Sequence, residues 1–218
     1  ASPDLQTIIG IIGEVAVDLS AIISLGDLYM VDNVILNSNS DGDEQKSLDV
    51  IADRKYFEAL KGSPVAAYVS EERENITLIN EGGTLLLAID PLDGSSNIET
   101  NLSIGSIFSI RKYEPDVITK RIDAQFLLPG NEQIAAGYII FGPQTILVVT
   151  TGKGVFQFVL NRKTRQFYLT KKKIQIPIKT QEYAVNSSNA RHWSKAMRLY
   201  IEDSNAGEIG PRDVNFNM

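Results

Sequence analysis

The sequence predicts a layered α/β protein in which N-terminal helices pack on a large, mostly antiparallel or mixed sheet, with a second α/β domain only begun. Three patterns carry this expectation. Apolar residues recur at helical spacing over residues 4–25, strand-length runs bounded by glycine or asparagine succeed one another from Val65 onward, and helical spacing resumes in "WSKAMRLYIED".

In chain order, Ile8, Ile11, Ile12, Val15, Leu19, Ile22 and Ile23 form the apolar face of the first helix. Glu14 and Asp18 interrupt its run, and no basic region followed by a small-residue cleavage site surrounds it, so it reads as a helix rather than a membrane span. Residues 36–45 are small, polar and turn-rich, a loop before a second helix from about Gln45 to Leu60 that Gly62 and Pro64 bound. Strands are then predicted at "VAAYVS", "ITLIN", "TLLLAID", "SIGSIFSIRKY", "EQIAAGYIIFG", "TILVVTTG", "GVFQFVLN", "QFYLT" and "KIQIPI". Lys171, Lys172 and Lys173 read as a solvated strand edge, where charge blocks sheet-to-sheet association.

The 218 residues, 43% of them hydrophobic, suffice for a sizeable core. A net charge of −6, from 27 acidic and 21 basic residues, argues against nucleic acid or an anionic membrane as partner, and an anionic substrate would need a metal. Absence of cysteine removes disulfides, thiol nucleophiles and thiolate metal sites, and makes a cytoplasmic setting the default. With His192 the only histidine, a nucleophilic dyad has at most one base available.

Carboxylates are what remain. Asp43 and Asp49 flank the start of the second helix, Glu71 and Glu72 follow one apolar run, and Asp90 and Asp93 end another. Strand ends set side chains along one rim of a sheet, and like charges gathered there require a cation between them. Hard divalent ions suit oxygen donors, Mg²⁺ first and Mn²⁺ second. In "AIDPLDGSSN" a turn at Pro91 would aim Asp90 and Asp93 at one point, while Gly94, Ser95 and Ser96 leave amides for an anion cradle. Metal on one side and amides on the other describe a phosphate site.

The run "DPLDGSSNIETNLSIGSIFSI", preceded by "VSEE" and "GDEQKSLDV" and followed by "AAGYIIFG", resembles class I fructose-1,6-bisphosphatases of the bacterial type, within the sugar-phosphatase superfamily. The similarity extends over essentially the whole chain. It implies the sugar-phosphatase fold and Mg²⁺-dependent hydrolysis of the 1-phosphate of fructose 1,6-bisphosphate to fructose 6-phosphate and phosphate, a gluconeogenic or Calvin-cycle step. By the same resemblance, Glu71, Asp90, Asp93 and the Leu92 carbonyl would hold two or three Mg²⁺ ions, with Asp43 on a loop that closes over them. Asp49 and Glu72 would polarise the attacking water, Gly94, Ser95 and Ser96 would grip the 1-phosphate, and Asn186 would contact the 6-phosphate. No covalent enzyme intermediate is implied, and a homotetramer is.

Two other readings stay open: sedoheptulose 1,7-bisphosphate or another sugar phosphate as substrate, and a non-catalytic metal- or phosphate-binding scaffold. Residues 1–181 are expected to form the metal- and phosphate-binding domain and residues 182–218 the incomplete start of a substrate domain. In the family a further third of the chain follows, with a further acidic ligand and the Lys, Arg and Tyr residues around the sugar; the sequence ends at "NFNM" before it, so it is either a fragment of a longer protein or lacks that half of the pocket. Thr84 and Leu85 stand where animal enzymes of this family carry a Lys-Tyr pair for AMP, so inhibition by AMP is not expected. The cysteine-bearing loop of chloroplast enzymes is also missing.

Overall fold

Helix α1 (Pro3–Leu25) begins where Ser2 accepts the Leu5 amide on its Oγ at 3.3 Å and Pro3 takes the first helical position, where a missing N–H costs nothing. Gly26, at φ 52°, ends it. The computed structural model describes residues 1–26, 28–29, 48–115, 121–178, 182–183, 185–206 and 213–214. Asp43 and the loop predicted over residues 36–45 lie outside them. Helix α2 (Leu48–Ala59) is the body of the predicted second helix. By length and hydropathy α1 could cross a membrane. Its Leu5, Ile8, Ile12, Val15, Ala16 and Leu19 instead share one core with Ala52 and Tyr56 of α2 and with Leu85, Leu87 and Ile89 of the sheet. Each large aliphatic side chain sealed in this way contributes about 1.5–3 kcal/mol.

The sheet comprises β1 (Val65–Ser70), β2 (Thr77–Leu78), β3 (Leu85–Asp93), β4 (Ile104–Lys112), β5 (Ala135–Phe141), β6 (Thr145–Thr150), β7 (Val155–Asn161) and β8 (Gln166–Lys171), in the order β2-β1-β3-β4-β5-β6-β7-β8. A short helix, α3 (Ile122–Phe126), lies between β4 and β5. Within this sheet, among the described residues, only β1 and β3 pair in parallel, and every other neighbouring pair is antiparallel. The mixed, mostly antiparallel sheet is the one expected. Alternation divides its faces: Ile104, Phe108 and Ile110 of β4 and Ile139 and Phe141 of β5 join the helices' core, while Ile107, Tyr138 and Ile140 are exposed. Gly137 is small of necessity, since a Cβ there would sit 2.6 Å from the Val148 carbonyl oxygen. A buried hydrogen bond of 2.7 Å between the Ser20 and Thr145 hydroxyls ties α1 to β6.

Two strand predictions fall short. "ITLIN" reduces to the two residues of β2. "KIQIPI" is not a strand at all: β8 stops at Lys171, Lys173 turns at φ 55°, and Ile176 and Ile178 are fully exposed. The left-handed backbone at Lys173 breaks the extended run, and Pro177 has no amide for a ladder.

Contacts divide the chain into Ala1–Ile174 and Gln175–Met218. Within the second unit β9 (Glu182–Tyr183) pairs in parallel with β10 (Asp213–Val214), and a 3-10 turn, Ser187–His192, precedes α4 (Lys195–Ala206), the helix expected from "WSKAMRLYIED".

Candidate active site

Parallel neighbours end at the same rim, so β1 and β3 deliver their C-terminal residues side by side. Ser70 pairs with Ile89, and the Glu71 amide donates to the Ile89 carbonyl at 3.2 Å, carrying the ladder on to the level of Asp90. The chain then turns tightly. The Ser70 carbonyl accepts from the Arg73 amide at 3.2 Å and the Ser70 hydroxyl from the Glu72 amide at 3.2 Å, which leaves Glu71 and Glu72 at the corner.

On β3 the turn expected at Pro91 is a bulge in a strand that continues through Asp93. Pairing with β4 slips between Asp90↔Ile107 and Asp93↔Gly105. A residue without an amide is accommodated at such a slip rather than in a regular ladder. Three residues apart on an unbroken strand, Asp90 and Asp93 would face opposite sides. The extra residue brings Asp93 round to Asp90 and turns Leu92 into the core. The Leu92 amide donates to Asp90 Oδ1 at 3.1 Å. From beneath, the Ser106 hydroxyl donates to the Pro91 carbonyl at 2.7 Å, and Tyr56 of α2 donates to Ser106 Oγ at 3.1 Å; both side chains are fully buried. Sequence reading missed this pair, because a serine on a strand and a tyrosine on a helix carry no local signal of what they anchor.

Electrostatics bind the carboxylates into one site. The Asp90 carboxyl is pushed up to about 6, chiefly by burial, then by the negative charges of Glu71 and Asp93 and a side-chain hydrogen bond with Glu71, against the pull of the Leu92 amide. Glu72 is raised as well, by burial first and then by the charges of Asp49, Glu71, Asp53 and Asp90. Asp49 sits in the first turn of α2, its Oδ1 accepting the Val50 amide at 2.8 Å. Asp49, Glu71, Glu72, Asp90 and Asp93 are thus linked through one another's charge, and Asp53, which sequence reading passed over, is linked with them. Next to Asp93, Gly94 adopts a left-handed φ of 77° and opens the 3-10 turn Ser95–Asn97, whose first amides have no acceptor within the turn. Asn186 belongs to the second unit, where its Oδ1 accepts from the Ser188 amide at 3.0 Å and the Ser188 hydroxyl at 2.6 Å. His192 Nε2, in the same unit, accepts from Arg191 Nε at 2.9 Å.

The donor set fits a hard divalent cation in kind: carboxylate oxygens and backbone carbonyls, with no thiolate, and a mutual repulsion at Asp90 that a cation would relieve. No three acidic or histidine side chains among the described residues stand in a metal-holding group. A cation there would compete with the proton that burial and the neighbouring charges favour on Asp90.

This competition has a pH signature. Asp90 titrates near 6 in the folded chain, above the ordinary carboxylate range, so the folded state holds a proton that the unfolded state has released. Stability from this source is complete at low pH and is lost as pH rises through about 6. A divalent cation bound at Asp90 would compete with that proton, so any stabilisation by Mg²⁺ is expected to grow across that interval. Melting temperatures across this range, with and without Mg²⁺, test this; a metal effect independent of pH would contradict it.

The fold and its carboxylate rim define the class first: a layered α/β protein of the sugar-phosphatase fold. A family profile described as "Fructose-1-6-bisphosphatase, N-terminal domain" matches residues 2–172. The class 1 fructose-1,6-bisphosphatase 1 of Cereibacter sphaeroides is 48% identical over 215 residues, 99% of this chain and 63% of that protein. The class 1 enzyme of Sinorhizobium medicae is 44% identical over 220 residues, 100% of this chain and 62% of its own length. The crystal structure of Leishmania major fructose-1,6-bisphosphatase in holo form superimposes with a TM-score of 0.83 at 28% identity, covering 99% of this chain and 68% of that one. The chain belongs to the class 1 fructose-1,6-bisphosphatase family, and it spans less than two thirds of the length of these curated relatives.

Proposed function

We propose that the chain carries the metal- and phosphate-binding part of a Mg²⁺-dependent phosphatase that releases the 1-phosphate of fructose 1,6-bisphosphate, leaving fructose 6-phosphate. The observation that supports this best is the charge coupling of acidic residues just past β1, at the end of β3 and in α2, with the Gly94 turn following Asp93 directly, in a chain of this family. In this reading Glu71, Asp90, Asp93, the Leu92 carbonyl and Asp43 would hold two or three Mg²⁺ ions, or Mn²⁺. Such ions, when bound, supply Lewis-acid stabilisation of the charge on the transferring phosphoryl group. The chain's own residues do the rest. Glu72, raised by burial and by its acidic neighbours, is suited to accept a proton from the attacking water, with Asp49 beside it. Amides of Gly94, Ser95 and Ser96 orient the phosphate for attack in line with the ester oxygen that leaves. In this reading residues 1–181 serve as this domain, residues 182–218 begin the substrate domain, and Asn186 would contact the 6-phosphate. The working form is a cytoplasmic homotetramer.

Phosphate release by the intact protein, from fructose 1,6-bisphosphate and from sedoheptulose 1,7-bisphosphate, with Mg²⁺ or with a chelator, tests the proposal. The expected result is metal-dependent release that favours the six-carbon substrate. Preference for the seven-carbon sugar would replace the substrate named here. No release from either, with Mg²⁺ still raising the melting temperature, would leave a non-catalytic scaffold.

A further inference from the structure

We infer that Arg73 is a positioning residue: through a partly buried ion pair with Asp53 it clamps the Glu71–Glu72 turn to the helix that carries Asp49. The inference rests on the reading of Glu71 as a metal ligand and of Glu72 with Asp49 as the water-polarising pair.

Arg73 is the last residue of the turn whose corner holds the two glutamates. Its guanidinium reaches back to α2, where Nε and Nη2 both lie 2.8 Å from Asp53 Oδ2. The other oxygen, Oδ1, accepts the Tyr68 hydroxyl of β1 at 2.9 Å. The Asp53 side chain is 8% exposed and that of Arg73 27%. The guanidinium carbon lies 4.2 Å from the centre of the Phe57 ring and 5.6 Å from that of Tyr68, a flat cation laid against two aromatic faces. Helix, strand and turn therefore meet at one forked contact, which a lysine could not reproduce because it has neither the planar fork nor the stacking surface.

Its location gives the contact its consequence. Asp53 lies one helical turn after Asp49, so the two share a side of α2. Glu72 feels the charges of both. Core contacts of Ala52 and Tyr56 already hold α2 to the sheet, whereas the foot of the Glu71–Glu72 turn is held to α2 by Arg73. Releasing the fork frees the corner of the turn to swing, and the spacing of Glu71 from Asp90 and of Glu72 from Asp49 is lost with it.

The test compares the intact wild type with Arg73→Lys and with the double variant Asp53→Asn/Arg73→Met, which removes the clamp without leaving a buried charge. Melting temperature is followed against MgCl₂ concentration, and kcat and KM are measured in parallel. The double variant is expected to melt lower without metal, to need about tenfold more Mg²⁺ for half of its thermal shift, and to lose kcat with KM unchanged. Arg73→Lys should move both quantities less, in the same direction. A double variant that melts lower yet keeps the wild-type Mg²⁺ midpoint and kcat would overturn the positioning role. Were it not to fold, an unchanged midpoint in Arg73→Lys would do so. A wild type whose melting temperature ignores Mg²⁺ would overturn the metal reading itself, and this inference with it.

Discussion

Replacing Asp93 by asparagine is expected to remove most Mg²⁺-dependent phosphate release, with kcat falling roughly 10²–10³-fold, the loss seen when one preorganised electrostatic partner of a transition state is deleted. Asparagine keeps the size of the side chain and one oxygen, so what disappears is a negative charge. Asp93 is exposed at the end of β3 and presses its charge on Asp90, so the metal-free fold should be no less stable without it. The half-saturating Mg²⁺ concentration should rise. Phosphate release at saturating Mg²⁺, read beside a metal-free melting curve, separates the two effects. Wild-type kcat in this variant would remove Asp93 from the reacting centre.

Ser106→Ala is expected to damage both stability and turnover. The mutation strips the Pro91 carbonyl of its 2.7 Å donor and leaves the Tyr56 hydroxyl, fully buried, without its acceptor. Each buried polar group left unpaired costs about 1–3 kcal/mol. With two groups unpaired, a loss of about 2–6 kcal/mol should lower the melting temperature by roughly 4–24 °C in a protein of this size. Because Pro91 stands between Asp90 and Asp93, kcat should fall as well, about tenfold, as when a supporting partner of a ligand is lost. Tyr56→Phe on the Ser106→Ala background removes the orphaned hydroxyl and should restore part of the stability but none of the kcat. Recovery of both would show that the hydroxyl pair only fills the core.

What could be read beforehand followed physical reach along the chain. The face of α1 is a local matter of spacing, and Ile8, Ile12, Val15 and Leu19 all entered the core as that spacing requires. The placement of Glu71, Asp90 and Asp93 at or just past strand ends was legible because each follows an apolar run. The state of Pro91 was not legible. A proline between two aspartates is compatible with a turn or with a bulge, and only the pairing of β3 with β4 decides which. Ser106, Tyr56, Asp53 and Arg73 act across separations of 15 to 50 residues, so no window on the sequence contains their partners. "KIQIPI" misled for the opposite reason. Its alternation is that of a strand, but Lys173 turns left-handed and, among the described residues, no strand pairs with residues 175–178.

The slip in β3 has one more effect. Regions devoted to chemistry usually sacrifice conformational security, and replacements that would firm up the fold there tend to blunt turnover. At Pro91 the two demands coincide, because the same added residue that unites the aspartates also seats Leu92 among the aliphatic side chains below. A lineage that straightened this strand would surrender apolar packing together with the pairing of the aspartates, so selection for durability alone would tend to preserve the geometry that the proposed reaction requires.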